Sequence, residues 1–266
     1  MTHSAYRRVL LSVGATCLLA ACASPSDKNI TLAAATPDAV ATAGPAVDLP
    51  SQPLRYVRTK PGCNGTCPKI EVDSVSITGE PKLNQLIDHA LAYMTGVDPD
   101  RRGNYVSLAE YEAHFWATAQ PRDVTILKAR VRDVYKSVIA VELVSGQYLT
   151  GAAHGIHATQ FLNWQRDRNR VLALEEAVLP GQAAAFDAAL QRAHARWKAQ
   201  QPDAATDPSS FDRMWPFQPS ANFALTRQGV VVKYDAYAIA PYSYGQPELI
   251  IPYQELRGVL APEWLP

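Results

Sequence analysis

Two histidines that lie three residues apart are the side chains of this sequence whose spacing could support chemistry. His154 and His157 belong to the small-residue stretch 151–157, where two imidazoles could share a metal ion or one could act as a general base. No acidic or thiol ligand lies nearby in the sequence, and loop histidines more often hydrogen-bond to backbone. We therefore expect no metal and no cofactor at this pair.

No other catalytic candidate stands out in the sequence. The sequence contains no G-x-S-x-G, H-E-x-x-H, G-x-x-x-x-G-K-S/T or G-x-G-x-x-G pattern. Glu175 and Glu176 are adjacent carboxylates, but neighbouring residues on a helix point apart, which favours a solvated face over acid–base work. We therefore expect no catalytic residues.

Tyrosines are concentrated near the C-terminal end and suit a binding surface. They supply a large, rigid contact area with a hydroxyl group at its end, although packing in the core remains the alternative for most of them. The tyrosines of this stretch are Tyr234, Tyr237, Tyr242, Tyr244 and Tyr253. Tyr242 and Tyr244 lie on a loop rich in Gly and Pro, so we expect these two to be exposed. The predicted binding residues are Tyr148, His154, His157, Tyr242 and Tyr244.

Hydrophobic periodicity predicts an α+β fold that positions these residues. We expect two small α+β subdomains, at 54–147 and 148–266, each with antiparallel sheets and packed helices. Strands are predicted at 70–78, 125–132, 137–144, 158–164, 222–226, 229–234 and 248–252. Helices are predicted at 81–94, from the capping-box residue Ser107 to Thr118, at 174–178 and at 183–200, with a polar loop at 201–210.

The N-terminal residues have the order of features found in an export signal. Arg7 and Arg8 precede an uncharged apolar stretch that is too short to span a bilayer. The stretch ends in Leu-Ala-Ala-Cys at 19–22, which resembles the lipobox of bacterial lipoproteins. We expect a signal peptide at 1–21 and lipidation of Cys22, whose thiol would receive the diacylglycerol; an ordinary secretory signal is the alternative. Ala23 stands where an aspartate would favour the inner membrane, so we expect the periplasmic face of the outer membrane.

The segment after the lipobox is predicted to be a disordered tether. Residues 22–53 are rich in Ala, Thr, Pro, Ser and Asp, a composition that cannot bury enough apolar surface to offset the entropy of ordering. Beyond it, Cys63 and Cys67 would be the remaining cysteines of a mature lipoprotein. A disulfide fits an oxidising envelope, and free thiols, a redox pair or a metal site remain the alternatives.

The charge balance excludes one class of partner. The chain has 25 basic and 25 acidic residues, so its formal net charge at pH 7 is zero. Removal of the signal peptide would leave a charge near −2, since Arg7 and Arg8 leave with it. Such a protein has no basic field to hold phosphates, and we expect no nucleic-acid partner.

The C-terminal half resembles the RsiV-like C-terminal domain. Residues 150–155 (TGAAHG) resemble the end of its Y-x-G-G-A-H-G opening, with Ala152 in place of a glycine and Tyr148 one residue early. Residues 223–245 match its F-x-L-T…G…Y-x-x-Y-x-I-A-P-Y-x-x-G signature, and 251–256 (IPYQEL) match its closing I-P-Y-x-E-L. The region 68–147 is similar to the PdaC-type N-terminal domain that accompanies it.

This resemblance implies a binding function at the cell envelope. In RsiV-type anti-sigma factors the module binds lysozyme, and in PdaC-type enzymes a related module precedes a separate peptidoglycan deacetylase domain. We find neither a sigma-binding segment nor deacetylase motifs in this sequence. We therefore expect a lipid-anchored periplasmic, non-catalytic module that binds a cell-wall protein or glycan, with a lysozyme-like muramidase as candidate. A structural or assembly lipoprotein, or a peptidoglycan-acting hydrolase with His154 as base, remains the alternative.

Overall fold

The computed structural model describes residues 49–96 and 105–266. The predicted signal peptide, the lipidation site Cys22 and the predicted tether up to residue 48 lie outside the described residues. Within them the protein is a mixture of helices and mainly antiparallel sheets, which confirms the α+β fold class. No helix in these two ranges is both long and apolar enough to cross a bilayer.

The larger sheet has six strands whose spatial order follows the chain. All neighbouring strands are antiparallel except β2 and β3, which are parallel because α1 and α2 form the crossover between them. The strands are β1 (Ser51–Thr59), β2 (Lys69–Ile77), β3 (Val124–Tyr135), β4 (Val138–Tyr148), β5 (Ile156–Gln165) and β6 (Arg170–Val171). β1 begins at Ser51, inside the range predicted as tether, and the predicted boundary at 147–148 falls inside β4.

A smaller antiparallel sheet and the remaining helices complete the fold. The small sheet consists of β7 (Phe223–Thr226), β8 (Gly229–Lys233) and β9 (Glu248–Ile251). The helices are α1 (Pro81–Tyr93), α2 (Leu108–Thr118), α3 (Leu174–Ala177), α4 (Ala183–Lys198), α5 (Pro202–Thr206) and α6 (Pro208–Met214). The expectation of a polar loop at 201–210 was wrong, because α5 and α6 occupy this region, each with a proline in its first turn.

Two helices cover one face of the larger sheet. Leu83, Ile87 and Leu91 recur every four residues along α1 and are buried, as an amphipathic helix on a sheet requires. The start of α2 is capped by Ser107, whose hydroxyl accepts a hydrogen bond from the Glu110 N–H at 3.3 Å. The resulting core contains Leu127, Leu143 and Trp164 of the sheet, among others.

A second core lies between α4 and the small sheet. Phe186 and Leu190 of α4 pack with apolar residues of β7, β8 and β9. Between the two sheets lies a compact contact formed by Ala140, Phe161, Ala224 and Val231. A disulfide joins Cys63 and Cys67, with a Cα–Cα distance of 5.9 Å, in the turn after β1, which confirms that prediction.

Candidate functional site

His154 and Tyr242 lie in contact at the surface, with ring centroids 4.8 Å apart. Tyr237 adds a third ring, at 5.8 Å from His154 and 5.4 Å from Tyr242. His157 lies 6.2 Å from Tyr242, and Trp215 stacks on Tyr237 at 6.1 Å with an angle of 25° between the planes. We call these five residues the aromatic cluster. They come from three separate parts of the chain, so only the tertiary fold brings them together.

The loop that carries Tyr237 and Tyr242 is held by buried apolar residues. Ile239 and Ala240 lie between the two tyrosines in the sequence and are 0% and 1% exposed. Tyr237, by contrast, is 48% exposed. Pro241 precedes Tyr242, which begins a short 3₁₀ turn. The loop is therefore anchored in the core at its middle and presents aromatic rings on either side of the anchor.

Hydrogen bonds from side chains fix this loop and its neighbours against β5. The Thr159 N–H donates to Asp235 Oδ1 at 2.6 Å, two residues before Tyr237. The Phe161 N–H donates to Asn222 Oδ1 at 2.7 Å, and Asn222 Nδ2 donates to the Thr159 carbonyl at 3.0 Å. Side chains thus satisfy backbone groups at the outer edge of β5 that a further strand would otherwise bond. Desolvation raises the pKa of Asp235, even though the residue as a whole is exposed.

The backbone of Tyr237 is in a conformation that bulky residues rarely adopt. Its φ is +70°, in the left-handed region, where a side chain with a Cβ costs about 1–2 kcal/mol. Strain of this kind persists where the surrounding structure holds it, and it is concentrated at functional sites. The strained position carries one of the exposed rings of the aromatic cluster. This observation motivates a functional role for that ring.

The imidazole of His157 is packed against two glycines. A Cβ added to Gly146 would lie 2.9 Å from His157 Nδ1, and one added to Gly155 would lie 3.2 Å from His157 Nε2. Desolvation of the imidazole lowers the pKa of His157, with smaller effects from His154 and Lys128, even though the residue as a whole is exposed. A histidine with a lowered pKa is neutral at pH 7. His157 therefore contributes an uncharged ring beside Tyr242.

The hydrogen bonds of His154 do not form a catalytic arrangement. Its Nδ1 lies 2.9 Å from the Gly155 carbonyl oxygen, and its Nε2 lies 3.4 Å from the Tyr237 hydroxyl. No carboxylate or serine is bonded to either nitrogen within the described residues, and none of them form a group of three potential metal ligands. The arrangement can stack against a ligand and exchange hydrogen bonds with it.

Two residues predicted for the binding surface lie elsewhere. Tyr148 ends β4 and is paired with Val124 of β3. Tyr244 makes an edge contact with Trp197 at 6.1 Å and packs at a small apolar cluster that includes Ala204 and Phe211. Neither has a ring contact with His154 or Tyr242 in the described structure. The structure thus joins His154, His157 and Tyr242, and leaves Tyr148 and Tyr244 outside the cluster.

Tyr237 and Trp215 were not among the residues predicted for the surface. Tyr237 was visible as part of the tyrosine-rich stretch, but its exposure depends on a positive φ that no side-chain pattern announces. Trp215 directly follows α6 and stands in no recognisable motif. Its stacking on Tyr237 depends on where α6 ends.

Comparison with known proteins relates the chain to one family. Residues 178–254 match the family described as "Protein of unknown function (DUF3298)". A crystal structure of a DUF3298 family protein from Pseudomonas aeruginosa is 38% identical, with 82% of this chain and 97% of that one covered and a TM-score of 0.74. A DUF3298 member from Bacteroides fragilis has the same fold at 22% identity, with coverage of 81% and 94% and a TM-score of 0.63. Comparison with curated proteins gives no match.

Proposed function

The chain belongs to the DUF3298 family, and on that premise we propose that it is a non-catalytic binding module of the bacterial cell envelope. The aromatic cluster is its docking surface. The ligand is a protein or glycan of the cell wall, with a lysozyme-like muramidase as the leading candidate. We also propose that the chain is related to RsiV-like and PdaC-like domains. In this proposal a lipid attached to Cys22 anchors the protein at the outer membrane.

The contact between His154 and Tyr242 is the observation that carries the proposal. Exposed tyrosine, tryptophan and histidine rings supply large contact areas and lose little conformational entropy when a ligand binds. The fold maintains a strained backbone at Tyr237 to present one of these rings. A residue that served only the core would not need to be 48% exposed.

A binding role is favoured over catalysis because no carboxylate, serine, threonine or cysteine among the described residues is bonded to His154. General base catalysis requires a base within hydrogen-bond reach of the proton it removes, and the base is usually oriented by another polar group. His154 is oriented by a backbone carbonyl and a tyrosine hydroxyl, but none of the described residues places a nucleophile or a carboxylate within hydrogen-bond reach of it. Both contacts orient the ring for recognition of a ligand.

The proposal is tested by binding to defined envelope components. The purified protein from residue 49 onwards is titrated calorimetrically with a lysozyme and with soluble muropeptides. We expect His154→Ala and Tyr242→Ala to weaken binding by at least about tenfold, the magnitude of one well-packed contact. The exposed pair His89 and Tyr93 on α1, with ring centroids 6.5 Å apart, provides the matched control.

The control substitutions His89→Ala and Tyr93→Ala are expected to leave affinity unchanged. Absence of binding to every wall component would contradict the proposal, and so would equal losses from the cluster and control substitutions. For the anchor, Cys22→Ser is expected to move the protein from the membrane fraction to the soluble periplasmic fraction. Retention of Cys22→Ser at the membrane would contradict lipidation at this residue.

A further inference from the structure

β1 is an edge strand of unusual exposure. Among the described strands it pairs only with β2, and of its nine residues only Tyr56 is partly buried. Leu54 is 47% exposed and Val57 is 66% exposed. A long edge strand with exposed apolar residues is a template for pairing with a further strand.

The backbone groups on the outer side of β1 follow from the register with β2. The Lys60 N–H donates to the Pro68 carbonyl, and the Thr78 N–H donates to the Pro50 carbonyl. The register between these two points is continuous, and hydrogen-bonded pairs alternate in an antiparallel ladder. Even-numbered residues of β1 therefore bond to β2 and odd-numbered residues point outwards. In the described structure no group bonds to the outward N–H groups of Arg55, Val57 and Thr59.

A groove adjoins the same half of the strand. It has a volume of about 540 Å³. Its lining consists of Arg58, Thr59 and Pro61 from the end of β1 and Ala109, Glu112, Ala113 and Trp116 from α2. Side chains of an added strand would alternate between the two faces of the sheet, and those on the helix face would enter this groove. Backbone pairing with a pocket for alternate side chains is the usual combination in recognition by strand addition.

The charges on and after β1 indicate which kind of peptide segment would bind at its outer edge. Residues 49–69 contain Arg55, Arg58, Lys60 and Lys69 but no Asp or Glu, in a chain whose charges balance overall. Arg55 and Lys69 are paired with Asp73 and Glu71 of β2. Arg58 Nη1 donates to Glu112 Oε2 at 2.6 Å, and no described group accepts from its other N–H groups. Lys60 has no carboxylate partner among the described residues. The groove end of the edge therefore has cationic donors available to a carboxylate ligand.

From these observations we infer that the outer edge of β1 takes up an extended, acidic peptide segment of a partner protein as a seventh strand, with a carboxylate side chain of that segment at Arg58. A second copy of the chain fits less well, because pairing two β1 edges would bring together two strands that both carry basic side chains and no acidic ones. This surface does not depend on the aromatic cluster.

The test uses a capped peptide of about eight residues in which Glu and Val alternate, since this is an ordinary strand length. A peptide with Lys in place of Glu is the matched probe. On addition of the Glu peptide, amide hydrogen exchange at Arg55, Val57 and Thr59 should become slower. Exchange at Leu54 and Tyr56 should change little, because their N–H groups already bond to β2.

Two substitutions separate the backbone contribution from the side-chain contribution. Val57→Pro removes an outward N–H without breaking the ladder to β2, and Pro53 already occupies such a position. Val57→Pro should weaken binding of the Glu peptide by about tenfold, whereas Val57→Ala should change the affinity for this peptide by less than about twofold. Arg58→Gln should weaken binding of the Glu peptide and should not weaken binding of the Lys peptide, whose repulsion by Arg58 it removes.

Several results would overturn the inference. One is equal affinity for the Glu and Lys peptides, and another is exchange protection confined to other strands. Absence of any protection at about 1 mM peptide would also overturn it, since even weak strand addition should be populated there. If Val57→Pro does not fold, the exchange map and the Arg58→Gln comparison still decide the matter.

Discussion

The side-chain amide of Asn163 joins the two sheets by bonding to the backbone of β7 in the way a neighbouring strand would. Its Nδ2 donates to the Phe223 carbonyl at 2.7 Å, and its Oδ1 accepts from the Leu225 N–H at 3.0 Å. Asn163 is 1% exposed. The connection positions β7, and with it the chain that leads to Tyr237 and Tyr242.

Asn163→Leu is expected to destabilise the protein by about 3 kcal/mol, because it leaves two buried backbone groups unsatisfied at about 1–3 kcal/mol each. Urea unfolding measures the effect. Asn169, in the turn between β5 and β6, gives the control substitution Asn169→Gly, which suits its positive φ of 50° and should not destabilise. Equal stability of Asn163→Leu and the wild type would show that the sheets are held together by other contacts.

The strain at Tyr237 predicts an unusual order of stability among its variants. Tyr237→Gly and Tyr237→Ala remove the same ring, but only Ala keeps a Cβ in the left-handed region. We expect the Gly variant to be more stable than the Ala variant by about 1 kcal/mol. Both should lose affinity for the ligand of the aromatic cluster. An Ala variant as stable as the Gly variant would show that the backbone at 237 relaxes without strain.

Gly146 should be sensitive to the smallest possible side chain. A Cβ at this position would lie 2.9 Å from His157 Nδ1, so Gly146→Ala must displace the imidazole. We expect weaker binding at the aromatic cluster and a higher pKa of His157, because displacement exposes the desolvated part of its ring to water. NMR titration of the imidazole resonances measures the pKa. An unchanged pKa together with unchanged affinity would show that His157 adapts without loss of function.

A buried histidine gives the stability a predictable pH dependence. Burial lowers the pKa of His194, and the charge of Lys198 lowers it further, while Asp212 opposes them. The unfolded state therefore binds a proton more readily, so this stability is present above about pH 6.5 and decreases as the pH falls towards the folded pKa. His157 acts in the same direction.

His194→Phe should flatten this decrease between about pH 6.5 and 5. Phenylalanine suits the site because His194 packs against Trp197 and Phe217, with ring centroids 5.9 and 5.7 Å away. Chemical denaturation at several pH values gives the comparison. His114→Phe, on the exposed side of α2, is the control substitution. A steep decrease that persists in His194→Phe would assign the effect to other groups.

An ion-pair network between the sheets should be stabilising as a unit. Lys233 bonds to Glu142 and lies 3.1 Å from Glu248, which also pairs with Arg132 at 2.8 Å. The side chain of Lys233 is 11% exposed. Lys233→Met is expected to lower the free energy of unfolding by about 3 kcal/mol, because it leaves the partly buried carboxylates of Glu142 and Glu248 without the cation that they share at Lys233. Arg168→Met, which breaks an exposed pair with Glu263, should cost less than about 1 kcal/mol.

The parts of the fold predicted well from sequence are those with local signals. Leu83, Ile87 and Leu91 predict α1 within one residue of its observed end, and Ser107 predicts the start of α2. β1 was not predicted, because Pro53 and an irregular mixture of residues leave it without the apolar–polar alternation of a strand. Its extended structure depends instead on pairing with β2. α5 and α6 were missed because they are short and lack helical periodicity.

The candidate site was only partly predictable for a related reason. His154 and Tyr242 could be selected by type and by position on loops, but their contact depends on the bond between Thr159 and Asp235, far apart in the sequence. Tyr244 is two residues from Tyr242 and looked equivalent, yet the 3₁₀ turn directs it towards Trp197. Sequence pattern identified the loop, whereas the fold decided which of its rings meet.

The most direct test of the account is a hydrogen-exchange footprint of the protein with a bound cell-wall ligand. We predict that a lysozyme or muropeptide slows exchange in 152–159 and 236–244, the segments that carry His154, His157, Tyr237 and Tyr242, and that Tyr242→Ala abolishes this protection. Protection confined to α1 or to the small sheet, with the two loops unchanged, would contradict the claim that the aromatic cluster is the docking surface.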